Sequence, residues 1–446
     1  MRRVSFDRGI VAYALTAMVT GLVFAAVTPP FRVPDEEGHF LRAAAIAYGD
    51  PQPAVMGWRP FTSLPEGFKA FVTTVYKLDV FARYSFEDLK GALSIPLRPD
   101  TRVHLPLPAW YSPVPYLPQA VAALGGRIVS LRPLILFYAG RVVNLIAAVI
   151  LVAMATQAAP RRRLLFIVPA LLPMTLFQFA SWSPDAATIG AAFLLTALML
   201  RAIEGSALLS PREVMLLSGA GFALGLCKPV YFLLGCMVFA IPRDRFQSGR
   251  HRAAAVTAVL FAVLAGTVLA MVAASRSYYR PRPELPIDPA QQLRCIERDP
   301  VRHVRTTLRD LRTNGASYIE QMLGRLGLMN VKIPFGIRIL LGALLLLAAL
   351  AAAPPLSLAQ RLLFATIIVV TIGGISLSQY LVWTPVCSDT IEGMQGRYFL
   401  PIVPLILALL GVQRWRWRSP MGPFLAVAGI ANLVALSVLV ARYWGS

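Results

Sequence analysis

Apolar positions in this chain fall in long unbroken runs, not at the spacing of a half-buried surface helix or strand. About 20 apolar residues cross about 30 Å of hydrocarbon, so such runs predict membrane-spanning helices. Eleven spans are expected, near 10–28, 134–157, 163–181, 185–203, 214–226, 229–241, 253–275, 336–353, 361–383, 399–413 and 421–441. The two short ones between Met215 and Ile241 meet at Cys227-Lys228-Pro229 and read as a broken pair dipping in and out. The first run follows Met1-Arg2-Arg3, but Thr28-Pro29-Pro30 is a poor cleavage site, so it is read as an uncleaved first span. Residues 110–131 are also apolar. Their start, Trp110-Tyr111-Ser112-Pro113-Val114-Pro115-Tyr116-Leu117-Pro118, is rich in proline and aromatics. That composition predicts a helix lying at the outer interface rather than a span.

The polar positions collect in two segments, 29–133 and 276–335. They hold nine acids from Asp35 to Asp100 and six from Glu284 to Glu320. The expected fold is therefore an all-α polytopic integral membrane protein. It forms a single domain over 1–446, and its large first extracytoplasmic loop carries interfacial helices. Short Arg loops set its orientation: Arg2, Arg3 and Arg8; Arg161-Arg162-Arg163; Arg243, Arg245, Arg250 and Arg252; Arg414, Arg416 and Arg418. Basic loops stay cytoplasmic, so the amino terminus is expected inside and the carboxyl terminus outside.

Composition fits this layout. Of the 446 residues 57% are hydrophobic and 15% charged, against about 25% charged in ordinary globular chains. The net charge of +21 comes from 43 Lys and Arg against 22 Asp and Glu. A disordered tail, a collagen-like fibre and a disulfide-dense mini-protein are excluded. A soluble nucleic-acid binder concentrates its basic residues on a polar surface, so no nucleic-acid partner is expected. The chain has no phosphate-binding Gly-Lys loop, dinucleotide fingerprint or His-Glu-x-x-His helix. Cys295 and Cys387 both fall in outer segments, where a disulfide is permitted, but with no geometry to pair them they are expected to be unpaired.

Five stretches carry candidate chemistry. In Val33-Pro34-Asp35-Glu36-Glu37-Gly38-His39-Phe40-Leu41-Arg42, a helix start would put Asp35, His39 and Arg42 on one face. A carboxylate beside an imidazole and a guanidinium can act as a general base, although the same spacing suits an N-terminal cap with a surface pair. Ser183-Pro184-Asp185 places Asp185 at an outer mouth, as cavity lining or as a plain helix start. Lys228 and Tyr231 lie at the broken pair. A Lys in a bundle interior is costly and suits a phosphate ligand, or it snorkels to the surface. Arg397-Tyr398 opens the tenth span, as a phosphate clamp or an interfacial anchor. Along 299–312, Val301, Val304, Leu308 and Leu311 form one stripe beside Arg302, Arg305, Arg309 and Arg312. Arg325 follows and is expected near the same cavity. His104, His251 and His303 are dispersed with no metal-ligand spacing, so no metal site is expected. A divalent ion between Asp35, Glu36 and a substrate phosphate is compatible with the pattern but not required by it.

Together these stretches resemble a bacterial polytopic membrane family, domain of unknown function 2142. The resemblance is carried in order by Val33 to Ala43, Tyr111-Ser112-Pro113, Ser183 to Ala186, Cys227-Lys228-Pro229 and Gly393 to Pro401. That family is similar in layout to the GT-C superfamily of membrane glycosyltransferases, whose first outer loop carries an acidic pair just after the first span. The resemblance implies Asp35 as catalytic base, with Glu36 supporting it or binding a metal. Glu37 directly follows the pair, and which of the three carboxylates acts stays open. It implies Lys228 and Arg397 as ligands of the donor phosphate. From the stretches themselves, His39, Arg42, Tyr111, Asp185, Tyr231, Arg325 and Tyr398 are the further residues expected to bind substrate.

The expected function is then transfer of a sugar from a polyprenyl-phosphate donor to an acceptor hydroxyl on an envelope glycan, lipid or protein. Transfer would occur at the outer face of the bacterial inner membrane, with inversion and little or no need of metal. No other cofactor is required, and membrane lipids are the surrounding partners. A transporter or flippase for a lipid-linked or anionic precursor is the alternative, and a non-catalytic scaffold the third reading.

Overall fold

The structure is a computed structural model and describes residues 8–56, 59–76, 83–107, 111–278, 280–282, 284–352, 354, 356–411 and 421–445. Arg2, Arg3, Trp110, Arg414, Arg416 and Arg418, used above for orientation and for the interfacial segment, lie outside the described residues. Among the described residues, seven helices are long and apolar enough to cross a membrane. They are Arg8–Val27, Pro133–Ala158, Asp185–Glu204, Gly249–Ser275, Phe335–Ala352, Leu358–Val382 and Met421–Trp444.

The other four stretches expected to span form shorter or broken elements. Residues 163–181 become two seven-residue helices, Leu164–Ala170 and Pro173–Phe179. Residues 214–226 lie in Pro211–Cys227, a helix of 17 residues, and 229–241 form the 3-10 helix Pro229–Ala240. The stretch from 399 is the 3-10 segment Gly396–Ile402 followed by Val403–Leu410.

Proline explains the first break. Pro169 lacks the N–H a continuous helix needs, and Pro173 restarts the chain at a first-turn position. The carbonyls freed there are answered locally. Thr175 Oγ1 donates to the Pro169 carbonyl at 2.7 Å, and Asn432 Nδ2 donates to that of Leu171 at 2.8 Å. Such repair is what makes irregular backbone tolerable inside a bundle. Nearly every side chain from Leu164 to Ile203 is buried, so this broken helix and Asp185–Glu204 form the centre of the bundle.

Hydrogen bonds tie element ends into two opposite sets. At one end Arg162 pairs with Glu204 at 2.8 Å and reaches the Ala352 carbonyl, Gln360 reaches that of Ala240, and Arg361 those of Leu409 and Gly411. At the other, Trp444 Nε1 donates to the Val27 carbonyl at 2.6 Å, and the Tyr84 N–H donates to that of Tyr443 at 2.7 Å. Arg8–Val27 and Met421–Trp444 therefore run in the same direction and end together.

That second end carries both polar segments. The first, 29–133, contains helices Glu36–Ala47, Glu66–Tyr76, Phe86–Leu93 and Leu117–Ile128. It also holds a three-stranded antiparallel sheet, Ala54–Met56, Arg59–Pro65 and Arg102–Pro106, which the apolar runs did not predict. An aromatic cluster of Phe31, Phe40, Phe68, Phe71, Phe137 and Trp182 seats this layer on the bundle. The segment expected to lie at the interface starts with a turn at Val114–Tyr116 and continues as Leu117–Ile128. Leu117, Val121, Leu124 and Ile128 are exposed along one face of that helix, which is therefore amphipathic.

The second segment contains Pro289–Arg298 and the 25-residue helix Pro300–Gly324. One expectation here is corrected: Cys295 and Cys387 form a disulfide, with Cα atoms 5.7 Å apart. They lie 92 residues apart in sequence, and only the folded lacing brings them together. The Cys387 N–H donates to Gln292 Oε1, while Arg302 bonds the Cys387 carbonyl and pairs with Asp389 at 3.0 Å. Maleimide applied to intact, unreduced protein is expected to leave Cys295 and Cys387 unlabelled and to reach them only after reduction. Labelling of both without reductant would refute the pair.

Candidate active site

Asp35 follows the first span and caps the helix Glu36–Ala47 from a left-handed conformation, φ 62° and ψ 8°. Its side chain makes no capping bond and is therefore free to turn outward. Oδ2 accepts from Arg397 Nη2 at 2.8 Å. Arg397 Nε lies 3.5 Å from Asp185 Oδ2, and Asp185 Oδ1 faces Lys228 Nζ at 3.3 Å. Four charges from four distant stretches thus alternate in one network: Asp35, Arg397, Asp185, Lys228.

Each member is positioned by its own local structure. The turn Ser181-Trp182-Ser183-Pro184 delivers Asp185 to the start of its helix. Asn144 Nδ2 holds this turn through the Ser181 carbonyl at 2.7 Å, and Gln119 Nε2 reaches the Ser183 carbonyl. Lys228 occupies an extended residue between Pro211–Cys227 and Pro229–Ala240, where Pro229 ends the α-helical pattern. Its ammonium sits 4.3 Å from the Tyr398 ring centre and 5.3 Å from that of Tyr111. Both rings favour a cation over their faces. Tyr231 hydroxyl donates to the Tyr398 carbonyl at 2.7 Å and fixes the segment bearing Arg397. Gly396 is needed beside it, because a Cβ there would collide with the Tyr318 carbonyl.

Asp35 opens into a cavity of about 470 Å³ that Glu37, His39, Tyr76, Tyr111, Trp383 and Tyr398 also line. Its side chain is 52% exposed to that space, whereas Arg397 is 3% and Lys228 13% exposed. Burial raises the Asp35 carboxyl, but Arg397 and His39 outweigh it and hold the group below the ordinary carboxylate range. Burial lowers the His39 imidazole to about 4, partly offset by Asp35, so the ring is neutral near pH 7. His39 Nδ1 shares a hydrogen bond of 3.0 Å with the Tyr116 hydroxyl.

Three expected site residues are committed to other partners. Glu36 is fully buried and committed to Arg141, through contacts of 2.9 Å to Nε and 2.7 Å to Nη2. It also accepts from the Trp182 N–H at 3.2 Å. Glu36 therefore offers no free carboxylate to a substrate, and the pair with Asp35 does not fit a divalent ion. Arg42 does not accompany Asp35: its Nη2 donates to the Pro51 carbonyl at 2.8 Å, and its guanidinium lies 6.0 Å from the Tyr116 ring. Asp35 is the cap and not a helical residue, so the expected shared face starts one residue later. Arg325 belongs to a separate group with Ser317 and Glu320, beside Lys332 and Arg338. Among the described residues no group of three His, Cys, Asp or Glu side chains could hold a metal ion.

Arg141 was not among the residues expected at the site. An arginine inside an apolar run is functional or structural by default, and that signal was available. Arg141 is fully buried and also donates to the carbonyls of Ala25, Thr28 and Pro29. It ties the end of the first span to the chain just before Asp35.

Residues 18–406 match a family described only as a predicted membrane protein (DUF2142). No curated protein and no solved structure matches the chain.

Proposed function

The chain belongs to the DUF2142 family of predicted membrane proteins, and from that premise we propose that it is an inverting GT-C-like membrane glycosyltransferase. It moves a sugar from a polyprenyl-phosphate donor to an acceptor hydroxyl outside the bacterial inner membrane. The carrying observation is the Asp35 carboxylate, held ionised by Arg397 and opening into a cavity at the end of the bundle where the first apolar helix stops.

The two sets of element ends support an odd number of crossings, because an odd number puts the end of the last helix beside the end of the first, and eleven is the odd count we propose. Arg161 to Arg163, Arg243 and Arg245 lie at the set opposite Asp35, which supports a cytoplasmic assignment for that end. The Cys295–Cys387 disulfide at the Asp35 end agrees with an oxidising outer compartment.

In this reading Asp35 accepts the proton of the acceptor hydroxyl, whose oxygen attacks the anomeric carbon. The bond from that carbon to the phosphate oxygen breaks, and the lipid phosphate leaves with the electron pair. One displacement inverts the anomer, and no second carboxylate is required. Charge developing on the phosphate is met by Lys228 and Arg397. Their contacts to Asp185, at 3.3 and 3.5 Å, are longer than a well-made charged hydrogen bond of about 2.7–2.9 Å. Both cations therefore keep donor capacity for a phosphate.

The test is reconstitution in liposomes with radiolabelled polyprenyl-phosphate hexoses and an envelope extract as acceptor. Label is expected to leave the lipid and enter a glycosylated product. Movement of the labelled lipid between leaflets with no product would establish a transporter in its place.

A further inference from the structure

One wall of the cavity has no part in the ion network. Glu37 projects there, hydrogen-bonded to the Tyr76 hydroxyl. Tyr76 is half-exposed and stacks on Phe31, with ring centres 5.9 Å apart and planes at 21°. Pro60 and Pro106 line the same space. The backbone joins them, since Phe61 pairs with Pro106 and the Leu107 N–H donates to the Pro60 carbonyl at 2.7 Å. Sheet and helix of the outer loop thus build this wall, and the bundle builds the other.

We propose that this wall is the acceptor subsite and that it takes a neutral saccharide, one ring against Tyr76 and one hydroxyl donating to Glu37. The chemistry of the lining selects that class. Asp35 and Glu37 both face the cavity, and a carboxylate can only accept hydrogen bonds. A polyol supplies donors to both. A lipid tail would offer no donor to either, and an anionic group would face both carboxylates with the buried Arg32 as the lining guanidinium. The exposed aromatic ring offers a flat, electron-rich face to the C–H side of a pyranose. The volume, about 470 Å³, falls in the range of about 300–1,000 Å³ typical of small-molecule sites. Burial pushes the Glu37 carboxyl above its ordinary range despite the Tyr76 hydrogen bond, as expected of a group whose donors arrive with the ligand.

The inference names the acceptor for the transfer proposed above, but its test needs no donor and no turnover. Methyl hexopyranosides and neutral disaccharides are titrated against the full chain in nanodiscs and read by saturation-transfer NMR. At least one neutral saccharide is expected to bind, and its 6-phosphate to bind more weakly. Glu37→Gln is expected to weaken binding by about tenfold or more, the loss of a hydrogen bond to a charged group. Tyr76→Ala alters a half-exposed ring and is expected to weaken binding similarly. It decides the same question should Glu37→Gln fail to fold. Binding by no saccharide in the panel, equal binding in both variants, or preference for the phosphate would overturn the proposal. If saccharide binding depends on Glu37 but polyprenyl-phosphate hexoses give no product, the subsite stands and the transfer reading falls.

Discussion

Asp35→Asn is expected to lower sugar transfer by about 10²–10⁴-fold, the usual contribution of a positioned general base, while the protein folds normally. Asparagine is the informative replacement because the residue sits at φ 62°, a conformation that Asn tolerates and most other residues do not. An alanine would mix backbone strain with the lost carboxylate. Asn also leaves an oxygen for Arg397 Nη2, so the network keeps its shape and loses one charge. The pH profile of the parent adds a second check. Asp35 is held below the ordinary carboxylate range, and His39 titrates at about 4. Transfer governed by these two groups is expected to be level from pH 6 to 8 and to fall only as acid protonates the carboxylate. Undiminished transfer in Asp35→Asn would remove Asp35 from its assigned role, and a titration near 6.5 traced to His39 would refute the neutral imidazole beside it.

Glu36→Ala is expected to act in the opposite manner, costing about 3–5 kcal/mol of stability, because it strands the Arg141 charge with no carboxylate partner. Both side chains are wholly buried, and Arg141 also organises three carbonyls at the end of the first span. A loss of that size is a large part of the total for most proteins. The expected result is a sharp drop in folded yield and melting temperature in detergent. Arg141→Met should be comparably damaging, since it leaves Glu36 charged and buried. The combined Glu36→Ala and Arg141→Met variant should recover part of the loss, because no lone charge remains. A Glu36→Ala protein that melts like the parent but transfers no sugar would show that Glu36 belongs to the chemistry after all.

Much of the site was legible in the sequence because membrane proteins hide few charges. Asp185, Lys228 and Arg397 each interrupt or border an apolar run, where an ionisable group needs a reason to be. Their convergence with Asp35 follows from the alternation of the runs, which returns every second boundary to the same end of the bundle. Legibility failed where neighbours decide the outcome. Glu36 and Glu37 are adjacent acids with the same local pattern, yet one turns into Arg141 and the other into the cavity. Arg42 carried the right spacing for the Asp35 face, but the left-handed cap rotates Asp35 toward Arg397, 362 residues away.

The apolar runs alone establish a multi-pass membrane protein, since a bilayer demands length and composition and nothing about neighbours. They also mark the end of the bundle at which polar chemistry collects. Roles within that cluster came only from the tertiary structure. Which carboxylate is spent on a buried arginine, which cysteines meet and which tyrosines floor the lysine depend on contacts between segments scores to hundreds of residues apart. Side-chain charge is written locally, but desolvation and pairing are properties of the assembled interior.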